Sequence, residues 1–305
     1  MTLEPQTPVG DRIFLDHVGW FVPDMDAAHA AFEKLGFPMT PFTVHTNEQV
    51  DGSRVPSGTA NRCAMIARGY LEVLVSVPDV DTAIARQLRT GLSRYTGLHL
   101  IAFTVGDADS AVGRLRAAGF QPEPPIALRR PMPLDDGGEG TAAFSVIRFP
   151  DGAMDEGRIQ ILTQDTPDIV WQPSVTADEN ALDMLSGILL CVADPSEAAQ
   201  RYARFVGHRA DFADGVYRIS LDRGGLAICG PDACRRLLPD VPIPDLPFMP
   251  AVSIRSGDIE RTAAFLAGQG VPFDKRADGR IIVPPEAGMG ATLVLHDGSV
   301  DPFRE

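Results

Sequence analysis

The chain has no apolar run long enough to cross a bilayer. The longest, "ILLCVA" from Ile188 to Ala193, falls far short of the roughly 20 residues a spanning helix needs. Positive charge is also scarce: 27 Lys and Arg stand against 41 Asp and Glu, for a net charge of -14, and the acidic residues are spread through the chain. A groove that tracks phosphates needs a field of the opposite sign, so neither nucleic acid nor a membrane is an expected partner. Cysteine is rare too. The four, Cys63, Cys191, Cys229 and Cys234, lie in or beside apolar segments without the spacing of a zinc knuckle or a redox pair. Reduced, mostly buried thiols are the expectation. The opening "MTLEPQTPVGDRIF" carries neither a basic n-region nor an apolar h-region, so the expected place of action is the cytoplasm and the expected partner a small molecule. What is present is ordinary globular material, 44% apolar and 22% charged, in 305 residues that suffice for two domains or one large one.

The chain repeats itself. "DHVGWFVPDMDAAHAAFEKLGF", starting at Asp16, has a counterpart in "GLHLIAFTVGDADSAVGRLRAAGF", ending at Phe120, and fainter ones starting at Gly187 and Ala251. Each copy runs from an apolar stretch of strand length to an aspartate, Asp24, Asp107, Asp194 or Asp258, where a carboxylate can satisfy the free N–H groups of a helix start. Each ends on a glycine, Gly36, Gly119, Gly207 or Gly270, where a helix stop calls for a left-handed residue. Short β-like runs follow every helix, so the unit reads β-α-β-β-β. The polar stretch from Thr163 to Asp183 predicts a linker between two halves. "QPEPPIALRRPMPLDDGGEG", from Gln121 to Gly140, reads as an irregular flap over a site.

Alternate residues of a strand share a face, which groups His17 with Gly19 and Phe21, and Glu72 with Tyr70 and Leu74. A carboxylate in the middle of "YLEVLV" would cost roughly several kcal/mol if left unpaired. The repeat maps His17 onto His99 and Glu72 onto Gln160. Two imidazoles, a carboxylate and an amide oxygen converging from one sheet are what a divalent metal would require. Asn61, Arg62 and Arg148, on the third strands of their units, are candidates for holding a substrate carboxylate or enolate. Arg129 and Arg130 are weaker ones, and His29, His45, His208 and His296 are expected at the surface or behind the site.

With these motifs, "LDHVGWFVPD", "GYLEVLV" and "GLHLIAF" above all, the chain resembles the vicinal oxygen chelate superfamily. That superfamily takes in glyoxalase-like, bleomycin-resistance and extradiol dioxygenase-type proteins. The resemblance implies an α+β fold of four βαβββ modules paired into two half-barrel domains. The first, over residues 13–170, would carry the metal site. The second, over 183–300, would be a degenerate structural copy, with Gly187 and Ala251 near the first-strand ligand positions and Ala227 and Leu293 near the fourth-strand ones. Carried over, His17, Glu72, His99 and Gln160 would hold one divalent ion, whether Zn, Ni, Mn, Co or Fe. The implied activity is that of a metal-dependent lyase or isomerase acting on a small chelating substrate through an enolate or oxyanion. An Fe(II) extradiol-type dioxygenase and a non-catalytic small-molecule binder are the alternatives, and a homodimer stays open. Glyoxalase I-type members usually place a glutamate where this chain has Gln160, and an amide cannot act as a general base.

Overall fold

The computed structural model describes residues 5–48, 53–150 and 152–305. The first sheet is built from β1 (Ile13–Phe21), β2 (Thr43–Glu48), β3 (Arg54–Met65), β4 (Tyr70–Ser76), β5 (Gly97–Val105), β6 (Ile126–Pro133), β7 (Glu139–Ile147) and β8 (Arg158–Gln164). The second consists of β9 (Leu182–Cys191), β10 (Asp211–Ala213), β11 (Val216–Ser220), β12 (Gly225–Cys229), β13 (Phe248–Ser256), β14 (Asp274–Lys275), β15 (Ile281–Val283) and β16 (Thr292–His296). Their strand orders, β2-β3-β4-β1-β5-β8-β7-β6 and β10-β11-β12-β9-β13-β16-β15-β14, are the same pattern twice. In each, two βαβββ units meet along antiparallel first strands, β1 with β5 and β9 with β13. The fold is α+β, with two half-barrels as the family resemblance implied.

The repeat helices are α1 (Met25–Lys34), α3 (Ala108–Ala117), α5 (Pro195–Val206) and α7 (Ile259–Gly268). Each starts where its aspartate accepts backbone N–H bonds, Asp24 from Asp26 and Ala27, Asp107 from Ser110, Asp194 from Ser196 and Glu197, and Asp258 from Arg261. The expected stop glycines all take positive φ. Two further helices, α2 (Ala83–Arg94) and α6 (Pro231–Leu237), stand between the units of each half and were not legible as part of the repeat. The stretch expected as a linker is packed: it holds the short helix α4 (Pro167–Val170), buries Trp171 and ties the indole N–H to the Ile66 carbonyl. Among the described residues no helix is long and apolar enough to cross a membrane.

One core joins the halves. Val18 and Trp20 of β1, Val22 just past it, and Ile188 and Leu190 of β9 lie in a single apolar cluster with residues of all four repeat helices. The other faces of the two sheets differ. In the second half that face is filled by its own chain: Ala233, Cys234 and Leu238 of α6 and its end, with Phe303, pack onto Leu189, Ala227 and Ala251. Cys191, Cys229 and Cys234 are buried free thiols there, and Cys63 is half-buried. Val294, not the expected Leu293, occupies the filled face, because Leu293 belongs to the shared core. In the first half the corresponding face stays open as a cleft.

Phe205 of α5 packs its ring on Phe103, Phe120 and Phe149 of the first half, with centroids 5.9, 5.1 and 5.0 Å away. Truncating a buried aromatic costs about 3–5 kcal/mol. Phe205→Ala should therefore lose about that much in urea unfolding while keeping a single transition; a first half that melts unchanged would mean the halves are energetically separate.

Candidate active site

The site begins with a defect in pairing. Leu15 of β1 faces Phe103 of β5, but His17 faces Ala102, so Asp16 is an extra residue in β1. A bulge of this kind turns consecutive side chains to one side. The fully buried Asp16 carboxylate lies 2.6 Å from His17 Nδ1 and accepts from Gln164 Nε2 at 3.1 Å with both oxygens. An ionised carboxylate only accepts, so Nδ1 is the protonated ring nitrogen and Nε2 is turned toward Glu72, whose Oε2 lies 3.8 Å away. The imidazole stacks on Tyr70 at 4.3 Å. Glu72 Oε1 accepts from Asn61 Nδ2 at 2.6 Å. Burial pushes the Glu72 carboxyl up, but His17, the Asn61 amide and Arg130 outweigh it and hold the group below its ordinary value.

This cluster is the floor of a cavity of about 140 Å³ with apolar walls from Met65, Met132, Phe144 and Val170. A smaller recess of about 70 Å³ adjoins it, sharing Glu72, Arg130 and Gln160 and adding His45, Arg148 and Arg158. The stretch expected as an irregular flap is the hairpin of β6 and β7, the edge of the sheet. Its inward residues Leu128, Arg130 and Met132 wall the cavity, while Arg129 points out and is exposed.

Of the expected ligands, the structure brings His17, Glu72 and Gln160 to one cavity and leaves His99 out. Gly19 faces Leu100 and Trp20 faces Leu98, so His99 is the extra residue at a second bulge. Its ring lies between Phe21 and Tyr95, and Nε2–H donates to the Tyr95 carbonyl at 2.9 Å. Glu72 pairs with Gly19 on β1 and Gln160 with Ala102 on β5. The β5 residue equivalent to His17 is therefore Leu100, one position beyond His99. Of the expected substrate contacts, Asn61 and Arg148 line the cavities, whereas Arg62 turns to the other side of β3 and donates to the Thr40 carbonyl at 2.9 Å.

Four contributors were missed. Asp16 and Gln164 hold His17; the break in alternation at Asp16-His17 was the available signal. His45 lines the recess instead of lying behind the site, and Arg158 reaches it from the start of β8, with burial lowering its guanidinium to about 10. His29, His208 and His296 stay outside, paired with Glu33, Asp222 and Ser186.

The donors do not fit a resident divalent ion. His17 and Glu72 are two, Gln160 adds an amide, and the β5 corner is the hydrocarbon of Leu100. Among the described residues no group of three or more His, Cys, Asp or Glu is placed to hold a metal. A firmly held transition-metal ion in such a site usually has three or more imidazole, thiolate or carboxylate donors, and this cavity offers two, with only an amide oxygen beside them.

Burial lowers His99 from 6.5 to about 4 and His45 from 6.5 to about 3. The unfolded chain takes up these protons below pH 6.5 while the folded chain refuses them, so the stability they contribute is complete above that pH and drains away as pH falls toward 4. His99→Phe should flatten the loss of stability measured by urea unfolding between pH 6.5 and 4. It should leave ligand binding in the cavity unchanged, and a binding defect would return His99 to the site.

A glyoxalase-like domain model matches residues 15–206. No curated protein sequence matches the chain. A hypothetical protein from Staphylococcus aureus superposes with a TM-score of 0.62 at 11% identity, over 93% of this chain and 98% of that one. A 4-hydroxymandelate synthase variant from Streptomyces coelicolor gives 0.59 at 15%, over 95% and 94%. A Mn(II)-bound glyoxalase from Novosphingobium aromaticivorans gives 0.52 at 15%, over 94% and 83%. Likenesses at such identity speak for the fold alone, but the domain model covers more than half of the sequence. With its paired βαβββ units, the chain belongs to the glyoxalase-like family of the vicinal oxygen chelate superfamily.

Proposed function

We propose that the first half-barrel is the active site of a lyase or isomerase that moves a proton on a small oxygenated, enolisable acid. The observation that carries this reading is the buried Asp16–His17 pair, which fixes the imidazole so that Nε2 faces Glu72 and the cavity. A carboxylate on Nδ1 both sets the tautomer and stabilises the imidazolium that forms when Nε2 takes a proton. His17 Nε2 removes the proton α to a carbonyl, and the C–H electron pair moves onto the carbonyl oxygen as an enolate. The Gln160 amide can donate to that oxygen, and the guanidinium of Arg130 offsets its charge. Return of the proton to carbon gives the isomer, and expulsion of a β-substituent gives the lyase product. Neither outcome needs an oxidant.

The expected metal-dependent form of this chemistry and the Fe(II) dioxygenase alternative both call for a third firm donor where Leu100 stands. A non-catalytic binder uses the same cleft without the proton step. Incubation with 2-oxo and 3-oxo acids in D2O separates these readings by NMR. Deuterium exchange at the α-carbon should persist with EDTA present and fall about 10²- to 10⁴-fold in His17→Ala. Asp16→Asn should fall comparably. Acids that bind without exchanging would leave the binder, and exchange abolished by EDTA would restore the metal.

A further inference from the structure

Three guanidiniums surround the recess beside the reactive pair: Arg130 from β6, Arg148 just past β7 and Arg158 from β8. Among the described residues none of them forms an ion pair, in a chain whose net charge is -14. Arg158 donates instead to the Gln87 amide oxygen at 2.7 Å and the Ile84 carbonyl at 3.3 Å on α2, so neutral groups hold it in place. Glu72 is the carboxylate lining the recess and is already engaged by Asn61. Three like charges gathered around a single carboxylate repel one another, and a bound anion offsets that cost.

His45 supplies a second, independent sign. It is 8% exposed and lines the same recess, yet its Nε2 is buried with no partner. Its Nδ1 lies 3.0 Å from Thr59 Oγ1, and when that hydroxyl donates to Nδ1, Nε2–H becomes a buried donor without a well-formed hydrogen bond. A buried polar atom left unpaired costs free energy that a ligand oxygen recovers. The adjoining cavity is more apolar: away from His17, Glu72 and Asn61 it is walled by Met65, Met132, Phe144 and Val170. Glu72, Gln160 and Arg130 line both spaces, so the two lie side by side.

Building on the proton-transfer reading of this site, we infer that its substrate is an amphipathic acid: an oxyanion held by Arg130, Arg148, Arg158 and His45, with an apolar tail among Met65, Met132, Phe144 and Val170. The reacting carbons then lie over His17 and Glu72, between head and tail. The main cavity, about 140 Å³, suits a tail of several carbons rather than a bare two- or three-carbon acid.

Calorimetric binding of octanoate, octanamide, acetate and octyl phosphate tests this on the full chain. Octanoate or octyl phosphate should bind at least about tenfold more tightly than octanamide, and acetate more weakly still. Preference between the first two tells a carboxylate head from a phosphate head. Arg148→Gln and Arg130→Gln should each weaken the anion about tenfold and leave octanamide unchanged, while the outward Arg129→Gln should change neither. Met132→Ser should weaken octanoate and octanamide together. Equal binding of octanoate and octanamide, or acetate binding as tightly as octanoate, would overturn the inference. Octanoate binding retained in His17→Ala, with α-proton exchange of the 2-oxo and 3-oxo acids lost, supports it; octanoate binding with no exchange of those acids even in the unaltered protein removes the chemistry and keeps the ligand class.

Discussion

The apolar core shared by the two sheets decides where chemistry can occur. Each strand has only two faces, and Val18 and Trp20 on one side of β1, like Ile188 and Leu190 of β9, are committed to that core. Whatever polar function the chain has must lie on the remaining face of each sheet. In the second half-barrel α6 and Phe303 fill that face, which removes any room for a ligand over Leu189 and Ala227. In the first half-barrel α2 stands at one end instead, where Gln87 and Ile84 hold Arg158, and the floor remains open to a cleft. One topology thus yields a structural body and a reactive one, according to where an inter-unit helix comes to rest.

The open floor is costly to build, and the chain meets the cost with neighbours. The Glu72 carboxylate lies among apolar strands but receives the Asn61 amide and faces His17; Asp16 is fully buried but engaged by His17 and Gln164. Removing one partner would leave the other as an uncompensated buried group. Pairing at this level gives the site rigidity, and rigidity is what a proton transfer over a short distance requires. The recess beside it breaks the pattern, since its three arginines share one carboxylate, Glu72, without a close ion pair among the described residues, and the buried His45 Nε2 has no partner.

Much of this was legible in the sequence. The aspartate caps and glycine stops marked four helices, and alternation put His17 and Glu72 on one face, because both signals are local and chemical. His99 was misplaced because histidine was matched to histidine, while the sheet matches position to position; a bulge makes it the extra residue and leaves Leu100 at the corner. Strand parity turns Asn61 into the cavity and its neighbour Arg62 out of it. Arg130 was underrated because Pro131 and Pro133 make its stretch look irregular, yet an edge strand, which β6 is, tolerates proline. His45 sits at a shift in the pairing of β2 and β3, and such shifts leave no trace in apolar periodicity.

The bulge at Asp16 has a consequence for how such a protein can be rearranged. Asp16 is seated by Gln164, which lies on the last strand of the neighbouring unit, and the cleft walls come from that unit as well. The backbone is modular, four interchangeable-looking blocks, but the reactive pair straddles a block boundary. Exchanging the second block for another of the same fold would conserve the sheet and orphan a carboxylate. Duplication can multiply this architecture freely, whereas the chemistry is inherited only by adjacent blocks that have changed together.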